Sequence, residues 1–464
     1  MRVIPVVSFC RIILPALSSL LILAGCPEPE PEPEDETPYL EPGGCGLEGY
    51  EWLPADELGA VVSTREDALS PIAPEAIDSL LSGYTEELSP VPYGARVLRM
   101  RYTTQHQGRE VEATGFVSVP WLPEGMDQEF PVVLWLHGTT GFMGQCSPSY
   151  MGGENAMGNY LLSSLGYAVV APDYIGLDAG ADFDVAPDPR HSYLGIEQTG
   201  IGAWDMVRAA RDFFAGEEIV DARLSDEVVL WGGSQGGHAA FAADLLAPYY
   251  APELDVKASV ALIPPTDLLG QAQWAFSDVV PTTAALAAFL VAQHYWYGEQ
   301  ASLEEVFVPE MAAALPDAMY MGCDAEDVIG EVTEVGQVFQ PDFIEAVLAG
   351  DWEALEPWSC FMRESSIVHT SIPRLAETPT LMVLGEEDQL VYTPVEREAF
   401  DSLCEMGYRL EYLECAGAGH TQGAAWSLPE QLEWVAERLE GVPIDPERLC
   451  TRQAPVRCEG QPEQ

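Results

Sequence analysis

The chain has 464 residues, 47% of them hydrophobic, enough to bury a large core in one elaborated domain or two to three simple ones, so general disorder is excluded. Its 20 basic residues face 75 acidic ones, for a formal net charge of −55. That balance argues against nucleic acid as a partner and describes a hydrated, self-repelling acidic surface, as in proteins of saline habitats; it says nothing about catalysis.

In chain order, the first 26 residues, MRVIPVVSFCRIILPALSSLLILAGC, put Arg2 and Arg11 ahead of the apolar run 12–23 and small residues ahead of Cys26. This is the layout of an export signal, and the run is shorter than the roughly 18 to 20 residues that span a bilayer. Leu23, Ala24, Gly25 and Cys26 resemble the lipobox of bacterial lipoproteins, which implies signal removal and lipidation of Cys26; a plain secretory signal is the alternative. Without the signal the chain keeps 18 basic against 75 acidic residues. The tract PEPEPEPEDETP then cannot bury apolar area and reads as an extended tether over 27–44. The expected address is the bacterial envelope, with membrane attachment through Cys26.

From Arg96, RVLRMRYTTQ and EVEATGFVSVP flank the turn-like QGR and predict a hairpin at one edge of a sheet. FPVVLWLHG, a helical NYLLSSLG, YAVVAPDY, an amphipathic segment with Ala203, Met206, Val207, Ala210, Phe213 and Phe214 at helical spacing, and EVVLWG then alternate strand and helix. Such alternation predicts an α/β fold, a mostly parallel sheet covered by helices on both faces. SVALIP continues it, and TPTLMVLG, an acid-rich helix, RLEYLECAG and a helix over 428–439 complete it. Between SVALIP and TPTLMVLG lie more than a hundred residues without alternation. They read as a mainly helical cap, with the apolar stretch 284–291 packed on its neighbours and offering a substrate-contacting face.

The chemistry centres on VVLWGGSQGGHAA, residues 228–240. A phosphate loop needs Lys and Ser or Thr after its last glycine, and His238 and Ala239 stand there instead. The run fits G-x-S-x-G with an apolar strand before it and an alanine-rich segment after it. A serine lifted above a sheet sits in a strained turn, and Gly232 and Gly236 remove the side chains that would collide there. Ser234 is therefore the expected nucleophile, with the backbone N–H of Gln235 at a helix N-terminus as an oxyanion donor.

A serine needs a base and an acid to orient it, in the order Ser, acid, His for this fold. Asp388 follows the strand ending at Gly385, with Glu386 and Glu387 as rivals read as solvated loop acids. His420 lies on the glycine-rich loop of YLECAGAGH. The other histidines, His106, His191, His238, His294 and His369, read as structural or locally bonded. HGTTG, residues 137–141, supplies the second oxyanion donor from Thr139 or Thr140.

Of ten cysteines, Cys10 lies in the signal and Cys26 at the lipid site. The remaining eight imply four disulfides in an exported chain, with Cys450–Cys458 the one local pairing expected. No CxxC pair or HExxH motif occurs, so neither metal nor cofactor is expected.

With GGSQGG, HGTTG and the following QCSPS, GYAVVAPDYIGLD, GEEDQLV and GAGH, the chain resembles the secretory lipase family of α/β-hydrolases over about residues 90–441. The resemblance implies a triad at Ser234, Asp388 and His420, and a cap holding an acyl-binding tunnel. It also implies a bridge from Cys146 into that cap, to Cys323 or Cys360. Two features depart from the family. Gly233 stands where a tyrosine commonly precedes the serine, which leaves the substrate lining open, and the tether is not typical of a freely secreted enzyme.

The expected organisation is signal 1–26, tether 27–44, core 45–264, cap 265–379, core 380–441 and a cysteine-containing tail 442–464. The expected reaction is hydrolysis of a small-molecule or lipid carboxylic ester, by a lipase or esterase, through an acyl-serine; no protein partner is expected. A serine peptidase of aminopeptidase type would need cap carboxylates to grip a free amine. A non-catalytic surface-binding lipoprotein would show a broken triad.

Overall fold

The computed structural model describes residues 38–81, 90–122, 126–152, 156–180, 186–216, 222–323 and 329–462. The signal, Cys26 and residues 27–37 of the tether lie outside them. The described strands are β1 (Val61–Glu66), β2 (Gly94–His106), β3 (Arg109–Trp121), β4 (Gln128–Leu136), β5 (Ala168–Pro172), β6 (Ala222–Gly233), β7 (Asp255–Leu262), β8 (Pro379–Gly385) and β9 (Arg409–Cys415). They form one sheet in the order β1-β2-β3-β5-β4-β6-β7-β8-β9. The pairs from β1 through β3 to β5 are antiparallel, and those from β5 to β9 are parallel.

The apolar runs explain the parallel half. Along β4, Val132 and Leu134 join a cluster with Trp204 and Ala240, while Val133 faces the opposite way to meet Leu162 and Trp434. Helices Ile196–Ala215 and Gln235–Tyr250 thus cover one face, and Met157–Ser164 and Leu428–Leu439 the other. A strand buried on both faces carries no polar residue to alternate with. The hairpin β2–β3 turns through Gln107 and Gly108, both at positive φ (50° and 69°). It is not outermost: β1 pairs beyond it, and its mainly exposed residues carry no burial signal in the sequence.

Between β7 and β8 the chain forms helices, among them Leu268–Ser277, Thr282–Trp296, Pro309–Met321, Pro341–Ala349 and Trp358–Ser365. Thr282–Trp296 is apolar around most of its circumference because it runs through the middle of this layer, packed on its neighbours. Among the described residues no helix is long and apolar enough to cross a membrane.

Four disulfides tie distant parts together: Cys45–Cys360, Cys146–Cys323, Cys404–Cys450 and Cys415–Cys458. The expected Cys450–Cys458 pairing is therefore wrong. The tail runs back along β9, where Cys450 N–H donates to the Leu410 carbonyl and Val456 N–H to that of Glu414, so each tail cysteine meets a core cysteine rather than its neighbour. Of the two cap partners open to Cys146, the structure selects Cys323; Cys360 holds Cys45 instead.

Among the carboxyls inside the fold, three show how burial competes with hydrogen-bond donors. Glu396 accepts from Thr266 N–H (3.0 Å) and Gln271 Nε2 (2.9 Å), Asp173 from Thr114 Oγ1 (2.7 Å), and Asp205 from Thr104 Oγ1 (2.7 Å). Burial still dominates, raising Glu396 to about 7 and Asp173 and Asp205 to about 6. Each keeps its proton in the fold at a pH where the unfolded chain has lost it. The resulting stabilisation is complete below the ordinary carboxylate pKa and is lost as pH rises through about 6 to 7. Glu396→Gln, which removes one of these titrations, should therefore gain Tm relative to the wild type as pH rises from 5 to 8, in calorimetry at constant salt.

Candidate active site

Ser234 joins the end of β6 to the helix Gln235–Tyr250 at φ 57°, ψ −119°, a left-handed conformation rarely taken by a residue with a side chain. Backbone bonds hold it there: Ser234 N–H donates to the Leu262 carbonyl (2.9 Å), and His238 N–H donates to the Ser234 carbonyl (3.1 Å). The flanking glycines are steric necessities. A Cβ on Gly232 would overlap the Gly236 carbonyl, one on Gly236 would overlap the Leu136 carbonyl, and one on Gly237 would stand 2.6 Å from the Leu262 carbonyl. Gly233 differs, since a Cβ there would meet only Leu262, at an ordinary 3.7 Å.

The loop after β4 lies directly against this turn, where a Cβ on Gly138 would be 3.3 Å from the Gly233 carbonyl and 3.7 Å from Ser234 Cβ. Thr139 and Thr140 follow it and line a cavity together with Ser234 and Gln235. The Thr139 hydroxyl bonds Tyr193 Oη at 2.9 Å, while the Thr140 hydroxyl is buried without a protein partner. The cavity, about 480 Å³, runs up into the helical layer between Leu268, Ala285, Leu286 and Phe289.

Asp388 and His420 come together. Asp388 is buried just past β8, and its Oδ1 accepts from the N–H groups of Leu390 (2.9 Å) and Val391 (3.0 Å). Its Oδ2 lies 2.6 Å from His420 Nδ1. A carboxylate only accepts, so Nδ1 carries the proton and Nε2 is left with a free lone pair. Glycine permits the pairing: a Cβ on Gly385 would come within 2.6 Å of the Gly419 carbonyl and 2.7 Å of that of Ala418, so the loops after β8 and β9 touch. The rivals Glu386 and Glu387 are exposed, and Glu386 accepts from Gly417 N–H (2.8 Å).

His420 and Ser234 border a second cavity, of about 520 Å³, on the other side of the turn from the helical layer. The remaining candidate histidines have partners elsewhere: His238 the Ser365 carbonyl (2.7 Å), His106 the side chain of Gln198 (3.1 Å), His294 the Ala301 carbonyl (2.8 Å) and His369 Asp267 (3.1 Å).

Motif reading alone misses one contribution. His191, fully buried, bonds the Ile175 carbonyl through Nδ1 (3.2 Å) and the Gln235 side-chain amide through Nε2 (2.8 Å). The carbonyl makes Nδ1 the donor, so Nε2 accepts from Gln235 Nε2. Burial lowers the His191 pKa to about 3, keeping the ring neutral and this arrangement intact. The residue after Ser234 is thereby fixed by a side chain 44 positions away. Nothing in RHSYLG signals that role.

The steric contrast within the turn gives a direct check. Gly233→Ala should yield soluble, folded protein, whereas Gly232→Ala and Gly236→Ala should lower the Tm sharply or prevent soluble expression, as read by circular dichroism of the purified variants.

Residues 151–445 match the model of the secretory lipase family. Lipase 5 of Candida albicans is 25% identical over 309 residues, covering 61% of this chain and 58% of that protein, so the chain spans less than two thirds of the fungal enzyme. A Mycobacterium tuberculosis protein described as a probable inactive lipase is 24% identical over 382 residues, 78% of each chain. The rice cell wall degrading esterase LipA from Xanthomonas oryzae superposes with a TM-score of 0.64 at 20% identity, over 83% of this chain and 96% of its own, a likeness of fold. That fold is the α/β-hydrolase fold, a mostly parallel sheet between helical layers. With the family model matched over well more than half of its length, the chain belongs to the secretory lipase family.

Proposed function

We propose that the protein is a serine hydrolase of carboxylic esters, with Ser234 as nucleophile, His420 as base and Asp388 as the group that orients it. The observation that carries this reading is the 2.6 Å bond between His420 Nδ1 and a buried, doubly hydrogen-bonded Asp388, on a ring that shares a cavity with Ser234. His420 Nε2 takes the Ser234 proton as the hydroxyl oxygen attacks the ester carbonyl. The oxyanion is met by Gln235 N–H at the helix N-terminus and by an N–H from Thr139 or Thr140, each such donor typically worth about 3 to 4 kcal/mol. The imidazolium then protonates the departing alcohol, and water enters by the same route to release the acid from the acyl-serine.

The cavity under the helical layer receives the acyl chain in this reading. Its described lining holds Thr, Gln, Tyr, Ser and apolar residues, with no carboxylate that could grip a substrate amine, and this favours an ester over an aminopeptidase substrate. The segment 265–379 acts as the cap. Export through the signal 1–26, attachment through lipidated Cys26 and display on the tether complete the proposal. Four disulfides support an oxidising compartment outside the cytoplasm.

A fluorophosphonate probe should add its mass to Ser234 in the purified protein, and Ser234→Ala should abolish the adduct. Ser234→Ala and His420→Ala should each lower kcat/KM on short-chain esters by about 10³-fold or more, and activity that survives both changes sinks the triad. In a bacterial host, Cys26→Ser should move the enzyme from the detergent-soluble membrane fraction to the aqueous one; unchanged partition would refute the lipid anchor.

A further inference from the structure

We infer that the second cavity beside Ser234 is a pocket for the alcohol half of the ester, and that the substrates are esters of linear apolar alcohols. The inference rests on the ester-hydrolase reading above. The two cavities meet at Ser234, Thr139 and Leu390, and they differ in what else they touch. The cap cavity is lined by Gln235 and Thr140, the oxyanion side; the second is lined by His420 and Thr421.

Proton delivery assigns the halves. When the tetrahedral intermediate collapses, the bond between the carbonyl carbon and the alcohol oxygen breaks, its electron pair goes to that oxygen, and the proton on His420 Nε2 goes to the same oxygen. The leaving oxygen must therefore stand within hydrogen-bond reach of His420. The chain attached to it continues on the His420 side, and the space on that side is the second cavity.

Its walls specify the chemistry. Trp135, Leu161, Leu162, Trp231, Ile263 and Leu428 line it. Two of its polar walls are committed to each other and to neighbours: Trp231 Nε1 donates to Gln431 Oε1 (3.1 Å), and Gln431 Nε2 donates to Ser427 Oγ (2.6 Å) and the Ala424 carbonyl (2.7 Å). A sugar, a glycerol or an amine would lose its hydration there and find little in return. Two glycines keep the space open. Gly158 presents no side chain against the Trp135 ring, and at Gly233 a Cβ would make only an ordinary contact with Leu262, so the mouth beside the nucleophile stays free. At about 520 Å³ against about 480 Å³, the alcohol has as much room as the acyl chain.

The test uses two ester series on the purified enzyme: alkyl butyrates from methyl to dodecyl, and methyl esters from butyrate to dodecanoate, each below its micelle concentration. Because a fully buried methylene is worth about a fourfold gain, kcat/KM should grow at least about tenfold from methyl to octyl butyrate. Ala424→Trp and Leu161→Trp, which fill the second cavity, should remove most of that growth. Ala285→Trp, in the cap cavity, should retain it and instead flatten the methyl-ester series. Octanol should inhibit methyl butyrate hydrolysis by the wild type more strongly than butanol does, a readout independent of whether the variants fold. A flat alcohol series in an enzyme that hydrolyses methyl esters, or growth that persists in the folded Trp variants, overturns the alcohol pocket and leaves the esterase standing. Absence of hydrolysis in both series, with no fluorophosphonate adduct, overturns the esterase reading itself.

Discussion

The left-handed backbone of Ser234 is the constraint around which the site is arranged. A residue with a Cβ held in that region carries strain of about 1 to 3 kcal/mol, and it persists only where its surroundings leave no alternative. Here β6 is clamped between β4 and β7, the helix beginning at Gln235 is buried on nearly every side, and the chain must reverse between them within one residue. The turn points Ser234 away from the sheet. It also brings Gly232 and Gly236 so close to neighbouring carbonyls that no larger residue fits.

The parallel sheet then does the gathering. Strands β4, β6, β8 and β9 run the same way, so the loops that leave their carboxyl ends emerge along one edge. Thr139, Ser234, Asp388 and His420 are far apart in the chain and adjacent at that edge. The helical layer above closes the space into a cavity, and Cys146–Cys323 ties it to the loop that carries the threonines. An acidic exterior and an apolar site follow from one division: most acids stay in water, and some of those inside, such as Glu396 and Asp173, are met by hydroxyls and amides while burial raises their pKa to about 7 and about 6.

Much of this was legible beforehand because the signals are local. An apolar run buried on both faces differs in composition from an amphipathic helix, and G-x-S-x-G between the two has one steric meaning. Asp388 and His420 could be named because each closes a strand pattern and opens a glycine-containing loop. What was misread or passed over shares a cause in long-range contact. Cys450–Cys458 looked natural in a short tail, yet that tail pairs along β9 and each cysteine finds a core partner. Strand β1 is exposed and gains its identity only by pairing with β2. His191 has no motif and acquires its role by folding onto Gln235.

The sequence by itself determined the elements and the steric form of the turn, because backbone sterics and burial periodicity act over a few residues. Tertiary structure alone decided which cysteines meet, what His191 holds, and how much open space flanks Ser234. Those depend on distances between segments brought together by packing, and no local spacing encodes them. Gly233 shows the division most plainly. In the sequence it is a small residue beside Ser234; in the fold it is part of the wall of a cavity as large as the one beneath the helical layer.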